Sequence, residues 1–334
     1  MNQSVERITG NHLKDTYHRL INYLRISITD QCNLRCIYCT PKGPVEKLPH
    51  NEILRYEEIL KIVRIGAGLG ITKVRVTGGE PLVRKDCDDF LAKLTEIPGI
   101  SDISLTTNGI LLEKHLDHLR AIGIKRLNIS LDTLDAGKYK RITGQDAFDR
   151  VWSAISKALQ KGFSPIKINV VAMNGINDDE LKALATLTLK YPLHVRFIEQ
   201  MSYFDPDAGQ SKALAEDDIK LIIAPLGELE SCERNKKYGP ASRYRLKGAE
   251  GEIGFISPVS HHFCKWCNRL RLTSDGCLRS CLLSDIVTDI KTPLRNGATD
   301  AELAAAIVEA VAKKPLEKSC SGTHTGSRMF SIGG

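Results

Sequence analysis

From residue 20 to about 200, short runs rich in β-branched and apolar residues alternate with longer stretches whose apolar positions recur every three or four residues. The first kind predicts strands at Leu24–Thr29, Lys73–Thr77, Asp102–Thr107, Arg126–Ser130, Ile166–Met173 and His194–Glu199. The second predicts helices at Tyr56–Leu69, Asp88–Glu96, Leu111–Ala121, Ala147–Lys161 and Asp179–Lys190. Six strands separated by helices imply βα units and a parallel sheet. Six is two short of the eight that close a barrel, so the expected fold is α/β, a partial (β/α)6 TIM-like barrel with function at the C-terminal strand ends.

After Gln200 the rhythm changes. Met201 to Gln210 is polar and loop-like, Ala215–Ala224 reads as a helix, and short alternating runs follow at Tyr244–Leu246, Ile253–Ile256 and Arg269–Thr273. Asp300–Ala312 predicts a last helix before a tail ending in Gly333 and Gly334. Two regions are therefore expected, a barrel at 16–205 and a smaller, partly antiparallel region at 206–334.

Composition narrows the function. No apolar run reaches the roughly 18 residues of a membrane span. The first twenty residues, with Glu6, Lys14 and Asp15 and no apolar stretch, do not read as a secretion signal, so cytoplasm is the expected compartment and no membrane partner is expected. A net charge of +7 and a pI near 8.8 fall short of the pI above about 9 typical of a nucleic-acid-binding domain. A small, highly anionic substrate or a well-solvated surface accounts for the charge equally well.

The ten cysteines change the picture. In a reducing compartment, clustered cysteines point to metal or redox chemistry. Cys87, Cys232 and Cys320 stand alone and read as small buried hydrophobes, whereas the other seven form two tight groups. Cys32, Cys36 and Cys39, spaced C-x₃-C-x₂-C, follow the first predicted strand. Three thiolates on one loop can hold three irons of a [4Fe–4S] cube and leave the fourth iron open. Zinc would need a fourth ligand, and no obvious His or Cys is near. Gly78-Gly79-Glu80 closes the second strand; paired glycines let backbone approach a ligand, although a simple turn explains them too. Together the two motifs resemble the radical SAM superfamily. That resemblance implies S-adenosylmethionine (SAM) chelated to the open iron, a 5′-deoxyadenosyl radical, and SAM contacts at Tyr38, Gly79, Glu80, Ser130 and Met201.

Lys73 and Arg75, Lys167, and Arg196 alternate with apolar neighbours in their strands, and Arg25 opens the first strand. On the helix-covered face such charges would cost several kcal/mol each. Pointed inward they would meet a polyanion; snorkelling or salt-bridged strand ends is the plainer alternative.

Cys264, Cys267, Cys277 and Cys281 form C-x₂-C-x₉-C-x₃-C, which by spacing alone suits a four-cysteine zinc knuckle. Arg269 and Arg271 follow at i and i+2, on one strand face, able to grip phosphates. This block closely resembles the molybdenum cofactor biosynthesis protein A family, the GTP 3′,8-cyclases. Leu24-Arg25-Ile-Ser-Ile-Thr-Asp30, Thr106-Thr107-Asn108-Gly109, Ile142-Thr143-Gly144, Arg196-Phe-Ile-Glu199 and the terminal Gly333-Gly334 match as well. The resemblance runs from about residue 16 to the C-terminus. It implies a second [4Fe–4S] cluster on Cys264, Cys267 and Cys281, carried by the smaller C-terminal region, with its open iron on the guanine of GTP. Cys277 occupies a variable position of the family pattern and is expected to be a bystander. GTP contacts are implied at Arg25, Arg75, Thr106, Lys167, Arg269, Leu270 and Arg271. Cys32, Cys36, Cys39 and Arg25 are implied in catalysis, as are Gly333 and Gly334, inserted beside the basic residues. The implied reaction converts GTP to 3′,8-cyclo-7,8-dihydro-GTP, the first step of molybdenum cofactor biosynthesis. An electron donor of reductase or flavodoxin type, a downstream cyclic pyranopterin monophosphate synthase, no nucleic acid, and a monomer or homodimer complete the expectation.

Overall fold

The computed structural model describes residues 12–40, 47–201, 214–232 and 240–317. Its centre is one sheet of twelve strands, and the barrel half supplies six of them: β1 (Tyr23–Ser27), β2 (Lys73–Thr77), β3 (Asp102–Thr107), β4 (Arg126–Ser130), β5 (Ile166–Ala172) and β6 (Leu193–Glu199). These lie side by side in chain order, all parallel. Between them run α1 (Tyr56–Gly68), α2 (Cys87–Thr95), α3 (Leu116–Ala121), α4 (Ala136–Thr143), α5 (Phe148–Gln160) and α6 (Leu181–Lys190). The strands match the expected spans to within a residue or two.

Two segments depart from expectation for local reasons. The stretch expected as one helix at 111–121 begins as a 3₁₀ turn at Leu112–His115 and becomes α-helical only at Leu116. The short α4 was not foreseen because it buries only Tyr139, Ile142 and Thr143. Its ends are nonetheless marked: the Asp135 carboxylate accepts from the Lys138 N–H, and Gly144 closes the helix at φ 76°.

The helices cover one face. On α5, Val151, Ala154, Ile155 and Ala158 are buried at i, i+3, i+4 and i+7. They join Val74, Val76, Leu105, Leu127, Ile129, Ile168, Val195 and Phe197 in one core cluster. Because strand side chains alternate, the residues between these face the lumen, and there lie Arg75, Lys167, Asn169 and Arg196.

The C-terminal region builds on both edges of this sheet. After α7 (Glu216–Ile223), strands β7 (Leu229–Ser231), β8 (Ser242–Leu246) and β9 (Glu252–Ile256) form an antiparallel meander whose last strand pairs parallel with β6. At the other edge β10 (Arg269–Leu272) pairs parallel with β1, followed by antiparallel β11 (Cys277–Arg279) and β12 (Val287–Asp289), then α8 (Lys291–Arg295) and α9 (Asp300–Ala312). The region is partly antiparallel, as expected. It also extends the parallel run from β10 to β9, flanking the lumen on both sides, with β10 adding Arg269 and Arg271 to its lining. No helix among the described residues is long and apolar enough to cross a membrane.

The β6–β9 junction depends on a glycine. The Gly251 N–H donates to the Thr188 carbonyl (2.9 Å), and a Cβ here would stand 2.0 Å from the Leu193 oxygen. Gly251→Ala is expected to cost about 2 kcal/mol or more, read as a lower denaturant midpoint with unchanged slope. An unchanged midpoint would show that the turn relaxes freely.

Candidate active site

The first cysteine loop leaves β1 and is held from three sides. The Arg35 and Ile37 N–H groups donate to the Thr143 and Ile142 carbonyls at the end of α4 (2.9 and 3.0 Å). Inside the loop, Cys39 and Thr40 N–H groups both donate to the Cys36 carbonyl. From β3, the Asn108 amide donates to Asn33 Oδ1 (2.7 Å) and, more weakly, to Cys32 Sγ (3.9 Å).

The glycine pair supports the loop from below. Gly79 and Glu80 N–H groups donate to the Thr29 and Gln31 carbonyls, both at 2.7 Å. A Cβ on Gly79 would lie 2.3 Å from the Gln31 oxygen, and one on Gly78 2.9 Å from that of Thr29. The close backbone approach that the glycines permit is thus to the chain's own loop. Glu80 likewise turns inward. It is 1 % exposed, and its carboxylate accepts from the Leu82 N–H (3.1 Å), the Thr107 hydroxyl (2.8 Å) and the Asn108 N–H (2.6 Å). Burial outweighs these bonds and pushes its carboxyl up to about 7.

Above this platform opens a hollow of about 290 Å³ lined by Cys32, Cys36, Tyr38, Cys39, Gly79 and Ser130 among others. Burial raises all three thiols, Cys39 to about 12, and at Cys36 the neighbouring Asp132 and the other two cysteines add to the rise. Three thiolates crowded together without a cation repel one another, and bound metal removes that penalty. The Tyr38 hydroxyl donates to Asp132 Oδ2 (2.7 Å), whose other oxygen accepts from the Val171 N–H. The Thr106 hydroxyl, on the same wall, is buried with no hydrogen-bond partner among the described residues.

A second hollow of about 150 Å³ adjoins the first, sharing Asn169, Ile198 and Met201 as lining. Its wall carries Arg25, Arg75, Lys167, Arg196, Arg269 and Arg271. Strand register aligns three of these: Arg25 is paired with Arg75 on β2 and with Arg271 on β10. Lys73 and Arg126 share Asp102 (3.6 and 2.7 Å). The Lys167 and Arg196 side chains reach no carboxylate among the described residues. Burial, then the surrounding arginines, pulls the Lys167 ammonium down from 10.5 to about 5, and the same two causes pull Arg196 down to about 9. Such a wall is stable only with an anion or water against it.

Phe263, Asn268 and Leu282, next in sequence to Cys264, Cys267 and Cys281, line the second hollow and bring the other cysteine group near it. Burial alone would raise the Cys267 thiol, but the charges of Lys314 and Arg269 more than offset it and bring it down to about 7. Lys314 lies close to Cys281 as well. The Cys264 carbonyl accepts from Arg19 Nη1 (2.6 Å). Cys277 has other neighbours: burial, Asp275 and Asp289 push its thiol up to about 11.

Comparison with known proteins places this arrangement in a family. Residues 26–188 match the radical SAM superfamily and residues 193–320 the family described as molybdenum cofactor synthesis C. A GTP 3′,8-cyclase of Pelotomaculum thermopropionicum is 48 % identical over 96 % of this chain and all of its own length. One from Moorella thermoacetica is 47 % identical with the same coverage. This chain belongs to the GTP 3′,8-cyclase family. In fold it is similar to Streptococcus suis SuiB bound to S-adenosylmethionine, with a TM-score of 0.61 at 16 % identity, covering 87 % of this chain and 69 % of that one. As a radical SAM family, these enzymes imply SAM and an iron–sulfur cluster.

The residues present fit those groups. No three His, Cys, Asp or Glu side chains among the described residues close around a single ion. Cys32, Cys36 and Cys39 instead ring an open hollow, as a larger cluster with an exchangeable position requires. Of the residues expected to contact SAM, Tyr38, Gly79, Ser130 and Met201 line that hollow, while the Glu80 carboxylate lies beneath its wall. Of those expected to contact GTP, Arg25, Arg75, Lys167, Arg269 and Arg271 line the second hollow and Thr106 the first. Leu270 is the exception, since its side chain alternates to the other face of β10 and is buried in the core at 1 % exposure. Gly333 and Gly334 lie outside the described residues. Asn108, Asp132, Asn169 and Lys314 were missed. Asn108 sits inside a quoted motif, Asp132 follows Ser130 by two, and Asn169 follows Lys167 by two in β5, which were usable signals.

Glu80→Ala would strand three donors in the core. A loss of about 3 kcal/mol is expected, read from unfolding of the cluster-free chain. Stability within about 0.5 kcal/mol of the parent would show that the three Glu80 bonds do not support the loop.

Proposed function

We propose that this chain is the GTP 3′,8-cyclase of its family, converting GTP to 3′,8-cyclo-7,8-dihydro-GTP as the first step of molybdenum cofactor biosynthesis. The observation that carries the reading is the in-register row Arg75–Arg25–Arg271, facing a lumen that adjoins the cysteine-ringed hollow.

In this reading Cys32, Cys36 and Cys39 hold a first [4Fe–4S] cluster, and Tyr38, Gly79, Ser130 and Met201 surround SAM. When bound, these two supply a 5′-deoxyadenosyl radical. Cys264, Cys267 and Cys281 hold a second [4Fe–4S] cluster against the guanine, and the separate setting of Cys277 favours that choice of three. Arg25, Arg75, Lys167, Arg196, Arg269 and Arg271 grip the triphosphate, and Thr106 offers its hydroxyl to the nucleotide. With the phosphates fixed, the ribose falls towards Asn169, Ile198 and Met201, where the hollows meet. The contribution of these side chains is orientation and exclusion of water. Glu80 acts from below by fixing Asn108 and the loop. Gly333 and Gly334 take part in catalysis, the barrel and C-terminal regions at 16–205 and 206–334 divide the work, and an electron donor of reductase or flavodoxin type restores reducing power. The product passes to a cyclic pyranopterin monophosphate synthase, and the chain works in the cytoplasm as a monomer or homodimer.

Anaerobic incubation with SAM, a reductant and GTP tests the reading. 5′-Deoxyadenosine and a cyclised nucleotide are expected to form together; deoxyadenosine without any change in GTP would overturn it. Arg271→Ala should weaken GTP binding by about 10- to 100-fold, the loss of one charge-assisted contact, while iron content stays at the parent level. Unaltered affinity would remove Arg271 from the phosphate grip.

Lys167 yields a further prediction. With its ammonium at about 5 in the free chain, it is mostly neutral at pH 7, and a triphosphate restores its charge. The complex therefore carries more protons than the free chain, so affinity is greatest at low pH and falls as pH rises through the bound-state value. Calorimetry at pH 7 in buffers of different ionisation enthalpy should show uptake of up to about one proton per GTP. Lys167→Met should abolish that uptake, and a buffer-independent heat with the parent chain would contradict the account.

A further inference from the structure

Lys314 lies two residues beyond the end of α9 and is 3 % exposed. Its ammonium has three N–H groups and three destinations. One goes to the Arg269 carbonyl (2.8 Å) and one to the Ser280 carbonyl. The third goes to the Cys267 sulfur, with Cys281 close by. These partners come from the two halves of the second cysteine group: Cys267 and Arg269 at the entrance to β10, Ser280 and Cys281 after β11. One buried side chain thus ties together the two chain segments that must converge.

Arg19 fixes the staple in place. Its guanidinium donates to the Pro315 and Leu316 carbonyls (2.6 and 3.2 Å), immediately after Lys314, and to the Cys264 carbonyl. The charge of Arg19 is met by the buried Asp15 at 2.5 Å. Lys314 has no carboxylate partner at ion-pair distance among the described residues. A buried cation needs a counter-charge, and the negative groups within its reach are the sulfurs.

We propose that Lys314 is a positioning residue for the second cysteine group, holding Cys267 and Cys281 in place and serving as counter-cation to the iron–sulfur cluster they carry. This rests on the two-cluster reading above. A cluster held by thiolates becomes more negative when reduced, so a fixed cation at hydrogen-bond distance favours the reduced form. Loss of the cation makes reduction harder.

The test compares Lys314→Met and Lys314→Arg with the parent chain after anaerobic reconstitution, by iron analysis and a redox titration followed by electron paramagnetic resonance. Added SAM marks the first-cluster signal and leaves the second distinguishable. About four irons in the parent instead of about eight would defeat the two-cluster reading itself. Given eight, Lys314→Met is expected to disfavour reduction of the second cluster at least tenfold, about 59 mV more negative for one electron, while the first cluster is unmoved. A full iron complement with an unchanged second potential overturns the proposal. Should the Met variant lose the second cluster, Lys314→Arg decides. Retention of that cluster near the parent potential supports the role of the cation, and loss in both variants reduces Lys314 to packing and overturns it.

Discussion

The structure turns on the register of three arginines on three adjacent strands. Parallel neighbours lie about 4.8 Å apart, so Arg75, Arg25 and Arg271 present like charges side by side along one lumen wall. Like charges directly opposite one another destabilise a sheet, and burial makes the penalty larger. The depressed ammonium of Lys167 and the lowered arginines around it record the same strain. A polyanion in the lumen relieves it. In the proposed function, the triphosphate of the substrate is what supplies the missing charge.

The rest of the site holds two cysteine groups near that wall, the first ringing its own hollow and the second carried by residues next to those that line the cation hollow. The first is supported by backbone: α4 carbonyls above, the Gly78–Gly79 turn below, and Glu80 binding the β3 end to that turn. The second is supported by side-chain charge, through Lys314 and Arg19. The contrast appears in the thiols. Those of the first group are pushed up by burial and by one another, and Cys267 is drawn down by cations. The two cysteine groups thus sit in opposite electrostatic settings.

The barrel half was largely legible because its strands alternate cleanly and its longer helices keep an amphipathic period; β2, β3 and β4 were read to the residue. The helix α4 was hidden by its short, polar composition, and only its Asp135 cap and Gly144 stop announced it. The attachment of β9 and β10 to opposite edges was also hidden, because pairing between segments about 60 and about 250 residues apart leaves no local periodicity. At the site, residues whose chemistry is local were readable, namely the cysteines, Tyr38 and the strand cations. Glu80 and Leu270 were placed by motif rather than by alternation and connectivity, and the structure sets one beneath the wall and the other in the core. Lys314 could not be found from sequence, since its three partners come together only once the edges of the sheet are built.

The measurement that bears most directly on the cation wall is the melting temperature of the cluster-free chain with GTP and with guanosine, at low and at high salt. The account predicts a clear rise with GTP that shrinks as salt increases, and no comparable rise with guanosine, because the triphosphate relieves the repulsion. Equal stabilisation by both ligands, or none by GTP at low salt, would contradict it.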